Sequence, residues 1–185
     1  MNEANHPPPG IVLIGFMGCG KSTVGHELHK MLRYPKIDTD HLLVEREGRP
    51  ITEIFAESGE EAFRDMESAL LRELAADPPD RCIVSTGGGI ILREENRLLL
   101  RRLGCVVWLQ VPFDTILERV GRNRNRPLLN GPDTRRRAET LLAERKPLYR
   151  EAAHIAIEVE DLTANEVACG ILESVRYFFT SGKAS

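Results

Sequence analysis

Residues 15–22 read Gly-Phe-Met-Gly-Cys-Gly-Lys-Ser, a G-x-x-x-x-G-K-[ST] loop between the apolar run Ile11-Val12-Leu13-Ile14 and a helical stretch, Lys21–Leu32. Strand, glycine loop and helix in that order form a cradle for phosphate. Backbone N–H groups wrap the phosphate oxygens, and the positive end of the helix faces them. Gly18, Cys19, Gly20 and Thr23 supply the wrapping backbone. Lys21 reaches the β- and γ-phosphates, and the Ser22 hydroxyl suits Mg²⁺. A glycine turn that binds nothing is the bland alternative, and the flanking strand and helix argue against it.

The rest of the chain reads as an α/β fold. Strands are expected at Ile11–Gly15, Lys36–Asp38, Cys82–Ser85, Cys105–Gln110 and Ile155–Val159. Helices are expected at Lys21–Leu32, Asp40–Glu47, Ile51–Glu57, Glu60–Ala76, Glu94–Arg102, Phe113–Gly121, Thr134–Arg150 and Ala164–Phe179. Unbroken apolar strands alternating with amphipathic helices predict a parallel sheet covered on both faces. The 185 residues match the length prior for one domain, and 42% hydrophobic residues can fill its core. We expect a tail over residues 1–10, one domain over 11–180 and a short tail over 181–185. A net charge of −3 argues against a nucleic-acid partner. No apolar run reaches the ~18 residues of a membrane span. The polar start, ending in Pro7-Pro8-Pro9, lacks the pattern of a signal peptide. Four cysteines without C-x-x-C spacing suggest free thiols and a cytoplasmic location.

Further groups gather around the loop. The third strand ends in Ser85-Thr86-Gly87-Gly88-Gly89 without a carboxylate, so the acidic groups must come from elsewhere. Asp38 and Asp40 end the second strand. Two positions apart, they point the same way, into the cleft at the strand ends. One suits the metal and the other a substrate hydroxyl, although Asp40 could instead cap the next helix. Gly87, Gly88 and Gly89 allow close backbone approach to a ligand, or form a plain turn. Arg64 and Glu67 stand three apart on a helix, as an exposed ion pair would. Four arginines, Arg119, Arg122, Arg124 and Arg126, crowd eight residues that run into an irregular stretch, 123–133, long enough for a lid. Arginines there suit a transferring phosphate.

Taken together, these segments resemble the shikimate kinase family. The matching pieces are Gly15–Thr23, Asp38-Thr39-Asp40, Ile54–Glu67 with its Phe-Arg-x-x-Glu, Gly87–Gly89, Arg126–Leu129 and Arg145-Lys146-Pro147-Leu148-Tyr149, in family order from about residue 11 to 150. The resemblance implies a P-loop NTPase fold like that of nucleoside monophosphate kinases. It has a five-stranded parallel sheet, substrate-binding helices over about 40–76 and a lid over about 123–133. It implies ATP-dependent phosphorylation of the shikimate 3-hydroxyl, on the route to chorismate and aromatic amino acids, by a cytoplasmic monomer using Mg²⁺.

The resemblance also assigns roles. Lys21 and the amides of Gly18–Thr23 hold phosphate, and Ser22 and Asp38 serve the metal. Asp40 holds the ring hydroxyls and takes the proton. Arg64 and Arg145 grip the carboxylate, with Glu67 steadying Arg64. Gly87, Gly88 and Gly89 contact substrate, Arg126 clamps phosphate as the lid closes, and Arg119 lies against adenine. Two departures stand out. The loop after the last strand, Glu158–Asn165, lacks the Arg and Pro that close over adenine in many relatives, and Cys19 replaces the usual Ala or Ser. Two other readings remain: another small-molecule P-loop kinase, such as a gluconate kinase, and a silent nucleotide-binding relative.

Overall fold

The computed structural model describes residues 10–79, 81–121 and 133–180. Five strands form one sheet: β1 (Ile11–Ile14), β2 (Lys36–Asp38), β3 (Ile83–Ser85), β4 (Cys105–Gln110) and β5 (Ile155–Glu158). They lie in the order β2-β3-β1-β4-β5. Every pairing is parallel. Ile11 stands beside Ile83 on one side and Cys105 on the other. Helices make each crossover, α1 (Lys21–Leu32), α2 (Thr39–Glu47), α3 (Ile51–Ala76), α4 (Glu94–Leu103), α5 (Phe113–Gly121) and α6 (Thr134–Ala152), and α7 (Ala164–Thr180) follows β5.

The apolar strands are continuous because both faces are covered. Alternate residues of a strand point to opposite sides, and the two cores divide on that parity. Val12, Ile14, Val84, Val106 and Trp108 pack with Leu71 and Ala75 of α3, Leu99, Leu100 and Leu103 of α4, and Tyr149 of α6. Ile11, Leu13, Ile83, Cys105, Val107 and Leu109 pack with Val24 and Leu28 of α1 and Val167, Ala168, Ile171 and Val175 of α7. A third, smaller core joins Leu43 of α2 to Ile54, Phe63 and Leu70 of α3. The helical region after β2 thus has packing of its own.

Helix α3 is made of two helical segments that meet at a kink at Gly59, where a break is expected from the sequence; its φ of 82° and ψ of 172° are non-helical. Glycine alone takes that conformation readily. Two differences from the sequence-based expectation have physical causes. The second strand ends at Asp38, and helix begins at Thr39. Asp40 therefore stands on the first turn of α2, not on the strand. The cap of that helix is Asp38, whose Oδ1 accepts from the His41 amide at 3.3 Å. A 3₁₀ turn, Ile90–Leu92, follows the glycine run; a single turn of three apolar residues has no periodicity to read. The other boundaries fall within a few residues of expectation, as frayed ends do.

Candidate active site

Parallel α/β sheets bind ligands beyond the carboxyl ends of the strands, where the strand order reverses. Here the order reverses about β1. A cleft of about 420 Å³ opens there, lined by Gly18 to Val24, Asp38, Asp40, Thr86, Gly88 and Arg119, and by Val159, Leu162 and Ala164. Of the nucleotide and metal candidates, Gly18, Cys19, Gly20, Lys21, Ser22, Thr23, Arg119 and Asp38 all reach this wall. Arg126 and 123–132, nearly all of the expected lid, lie outside the described residues.

The loop is held from within. Lys21 is buried, and its Nζ donates to the carbonyls of Gly15 at 2.7 Å and Phe16 at 3.0 Å. Cys19 Sγ lies 3.5 Å from the same ammonium. Cys19 is almost fully buried, which suits a small wall residue and not a thiol open to solvent. The Ser22 hydroxyl donates to Asp38 Oδ2 at 3.2 Å. Two hard oxygens side by side on a cleft fit Mg²⁺, which keeps most of its water and takes one or two protein ligands. Among the described residues, no cluster of three or more His, Cys, Asp and Glu side chains could cage a metal. Arg119 is exposed and donates to the Gly18 carbonyl at 3.2 Å.

Behind Asp40 and Gly88 lies a buried polar cluster. Arg64 is 5% exposed, Arg145 2% and Glu67 0%. The Arg64–Glu67 pair is therefore not the exposed surface bridge that its spacing also allows. Arg64 Nη1 donates to Glu67 Oε2 at 2.6 Å, and Nη2 to Glu60 Oε1 at 2.8 Å. The guanidinium also faces the rings of Phe63 and Phe55, 5.4 and 5.9 Å from their centroids. Arg145 lies 5.9 Å from the centre of the Phe16 ring and donates to the Gly88 carbonyl at 3.4 Å. The Tyr149 hydroxyl donates to that same carbonyl at 2.5 Å. Arg64 Nε, Arg145 Nε and Glu67 Oε1 are buried without a hydrogen-bond partner among the described residues. Orphaned buried polar atoms are rare in folded proteins and mark places that ligands complete.

The glycine run explains itself in this setting. A Cβ on Gly87 would lie 2.6 Å from Asp40 Oδ1 and 3.0 Å from Glu67 Oε1. A Cβ on Gly89 would run into the Arg64 guanidinium. On Gly88 it would sit 3.2 Å from the Met17 amide nitrogen of the phosphate loop. The absent side chains make room for the polar cluster on one side and the phosphate loop on the other.

Electrostatics follow from burial. Loss of water pushes the Glu67 carboxyl up to about 7; Arg64 opposes the rise, and Asp40 adds to it. Burial by itself lowers the Arg64 guanidinium, but Glu67 and Glu60 outweigh it and hold the group above its ordinary value. The rise at Glu67 follows from its loss of all contact with water and from its one unpartnered oxygen. Desolvation also raises the Tyr149 phenol, which stays neutral and donates.

Sequence reasoning does not single out Glu60 or Tyr149. Glu60 could have been found from its i, i+4 spacing to Arg64. Tyr149 carries no such local signal, because its contact spans 61 residues.

Comparison with known proteins follows the same lines. The shikimate kinase family model matches residues 17–176. The shikimate kinase of Symbiobacterium thermophilum is 42% identical over 169 residues, covering 90% of this chain and 95% of that protein. The structure of an Acinetobacter baumannii shikimate kinase in complex with shikimate superposes with a TM-score of 0.86 at 38% identity, covering 96% of both chains. A gluconokinase from Sinorhizobium meliloti shares the fold at 19% identity, with a TM-score of 0.54 over 96% of this chain and 98% of that one.

Proposed function

The chain belongs to the shikimate kinase family, and from that membership we propose that it transfers the γ-phosphoryl group of ATP to the 3-hydroxyl of shikimate. The observation that carries the reading is the convergence of two buried arginines and Asp40 on Gly87–Gly89, next to the phosphate loop. A small acid bearing hydroxyls suits that set. Guanidinium forks match a carboxylate, and Asp40 accepts from hydroxyls.

In this reading the loop amides and Lys21 bind the phosphates. Lys21 leaves the Gly15 and Phe16 carbonyls to follow charge onto the transferring group. Asp40 orients the attacking hydroxyl and receives its proton. Arg64 and Arg145 fix the acid at the far end, so the hydroxyl points at the phosphate, and Glu67 steadies Arg64. Tyr149 and Arg145 hold the Gly88 carbonyl, and with it the wall between donor and acceptor. Ser22 and Asp38 would hold Mg²⁺, which when bound neutralises phosphate charge. Arg126 is assigned to the phosphates and Arg119 to the base, whose other side is Val159, Leu162 and Ala164. The four cysteines carry free thiols, in keeping with a cytoplasmic enzyme. No helix of the described residues is long and apolar enough to cross a membrane. We read the working unit as a monomer.

A coupled ADP-release assay with ATP, Mg²⁺ and either shikimate or gluconate tests the proposal. We expect turnover with shikimate alone. Lys21→Met should lower kcat on the order of 10²-fold or more while the fold is retained. Turnover with gluconate and not shikimate would overturn the reading.

A further inference from the structure

We propose that Glu60 is a displaceable stand-in for the substrate carboxylate: it holds the edge of Arg64 that the acid takes over, and so sets acceptor affinity. The inference rests on the function proposed above. Its basis is how the five N–H groups of Arg64 are used.

A guanidinium presents two-donor edges to a carboxylate. One donor edge of Arg64 is formed by Nε and Nη2. Nη1, on the other side, belongs to Glu67 at 2.6 Å. The Nε–Nη2 edge is half filled: Glu60 Oε1 accepts from Nη2 at 2.8 Å, and Nε is buried with no partner among the described residues. A ligand carboxylate lying along this edge would take up Nε and one Nη2 N–H, and would set its charge against that of Glu60 at the same nitrogen.

The two acidic partners are not equivalent. Glu67 is completely buried and cannot leave without stranding a charge. The Glu60 side chain is 42% exposed and needs only rotate into water. It also follows directly on Gly59, whose non-helical φ of 82° breaks α3 and whose Cα has open space around it. Glu67 is thus the fixed strut and Glu60 the movable one. In the free protein Glu60 supplies countercharge to an arginine that is nearly all buried. On binding, one carboxylate replaces another, so the charge around Arg64 is conserved, and the acid must compete with Glu60 for its seat.

Competition predicts a direction opposite to that of a supporting residue. Glu60→Gln and Glu60→Ala should tighten shikimate binding, by about 3–10-fold for a partly exposed ion pair of roughly 1 kcal/mol. KM for ATP should not move. The carboxamide analogue of shikimate, which cannot replace a carboxylate, should bind both variants as it binds the parent. Calorimetric Kd and steady-state KM for each acceptor provide the readout, with circular dichroism to verify folding. A higher or unchanged Kd for shikimate in both folded variants would overturn the proposal and make Glu60 a support or a bystander. Equal tightening of acid and carboxamide would overturn it too, since charge exchange would not be the cause. Failure of the parent protein to bind or phosphorylate shikimate is a separate outcome, which strikes the proposed function itself.

Discussion

Gly89 has φ −102° and ψ −2°, a conformation open to any residue, so its lack of a side chain answers to space alone. Gly89→Ala would push on the Arg64 guanidinium without straining its own backbone. We expect KM for shikimate to rise about tenfold or more, the loss of a charge-assisted hydrogen bond of ~1.5–3 kcal/mol, with KM for ATP nearly unchanged. Kinetics with each substrate varied would check this, and a matching rise in both would move the residue's role to the phosphate loop. Glu67 makes a prediction about pH. Its folded value of about 7 lies above its ordinary 4.5, so the native state binds the proton more tightly between the two. The stabilisation is fully present below pH 4.5 and is lost as pH rises through 7, on the order of a few kcal/mol. Glu67→Gln cannot ionise. The thermal midpoint of the parent, relative to that of Glu67→Gln, should therefore fall from pH 5 to pH 8. A constant difference would show that Arg64 keeps Glu67 ionised throughout.

Helix α3 shows what an element adds to the residues it carries. It takes Ile54 and Phe63 into the small core beside α2, Leu71 and Ala75 into the main core, and Arg64 and Glu67 into the cluster between. The kink at Gly59 lets one helix serve all three. Gly59→Ala meets no neighbour within 4 Å, so any loss of stability reports backbone strain, about 1–3 kcal/mol at such an angle. Chemical denaturation should show that loss; a neutral result would mean α3 straightens at no expense. Much of this element is readable from its sequence, because apolar period and Phe-Arg-x-x-Glu spacing are local. So is the break in α3: glycine there reads as a break, and Gly59 has a non-helical backbone. Likewise the phosphate loop is legible from its own eight residues, whereas the link from Tyr149 and Arg145 to Gly88 exists only once α6 is packed against β4 and the turn at Ile90–Leu92. Asp38 and Asp40 are a mixed case. Both line the cleft, but strand alternation is not the reason, since Asp40 reaches it from the first turn of a helix.

At the scale of the molecule, the strand order puts β1 and β3 side by side, so the phosphate loop and the glycine run are neighbours by construction. Ligands that fill both sides should brace the whole sheet. A non-hydrolysable ATP analogue with Mg²⁺, and shikimate, each at 100 times its Kd, should each add ~2.7 kcal/mol to unfolding, read as a rise in the calorimetric midpoint. Gluconate should add nothing. A shift with nucleotide but none with shikimate would confine the chain to nucleotide binding.

The run Gly87–Gly89 borders both halves of the cleft, and this has a consequence for how the protein can change. Substitutions on α3 bear first on the acceptor side, and those in 18–23 first on the donor side. A substitution in 87–89 is felt by both. Selection for a new acceptor should accordingly gather its early changes in α3 and spare the three glycines, which act as a shared border that neither ligand can redraw for itself.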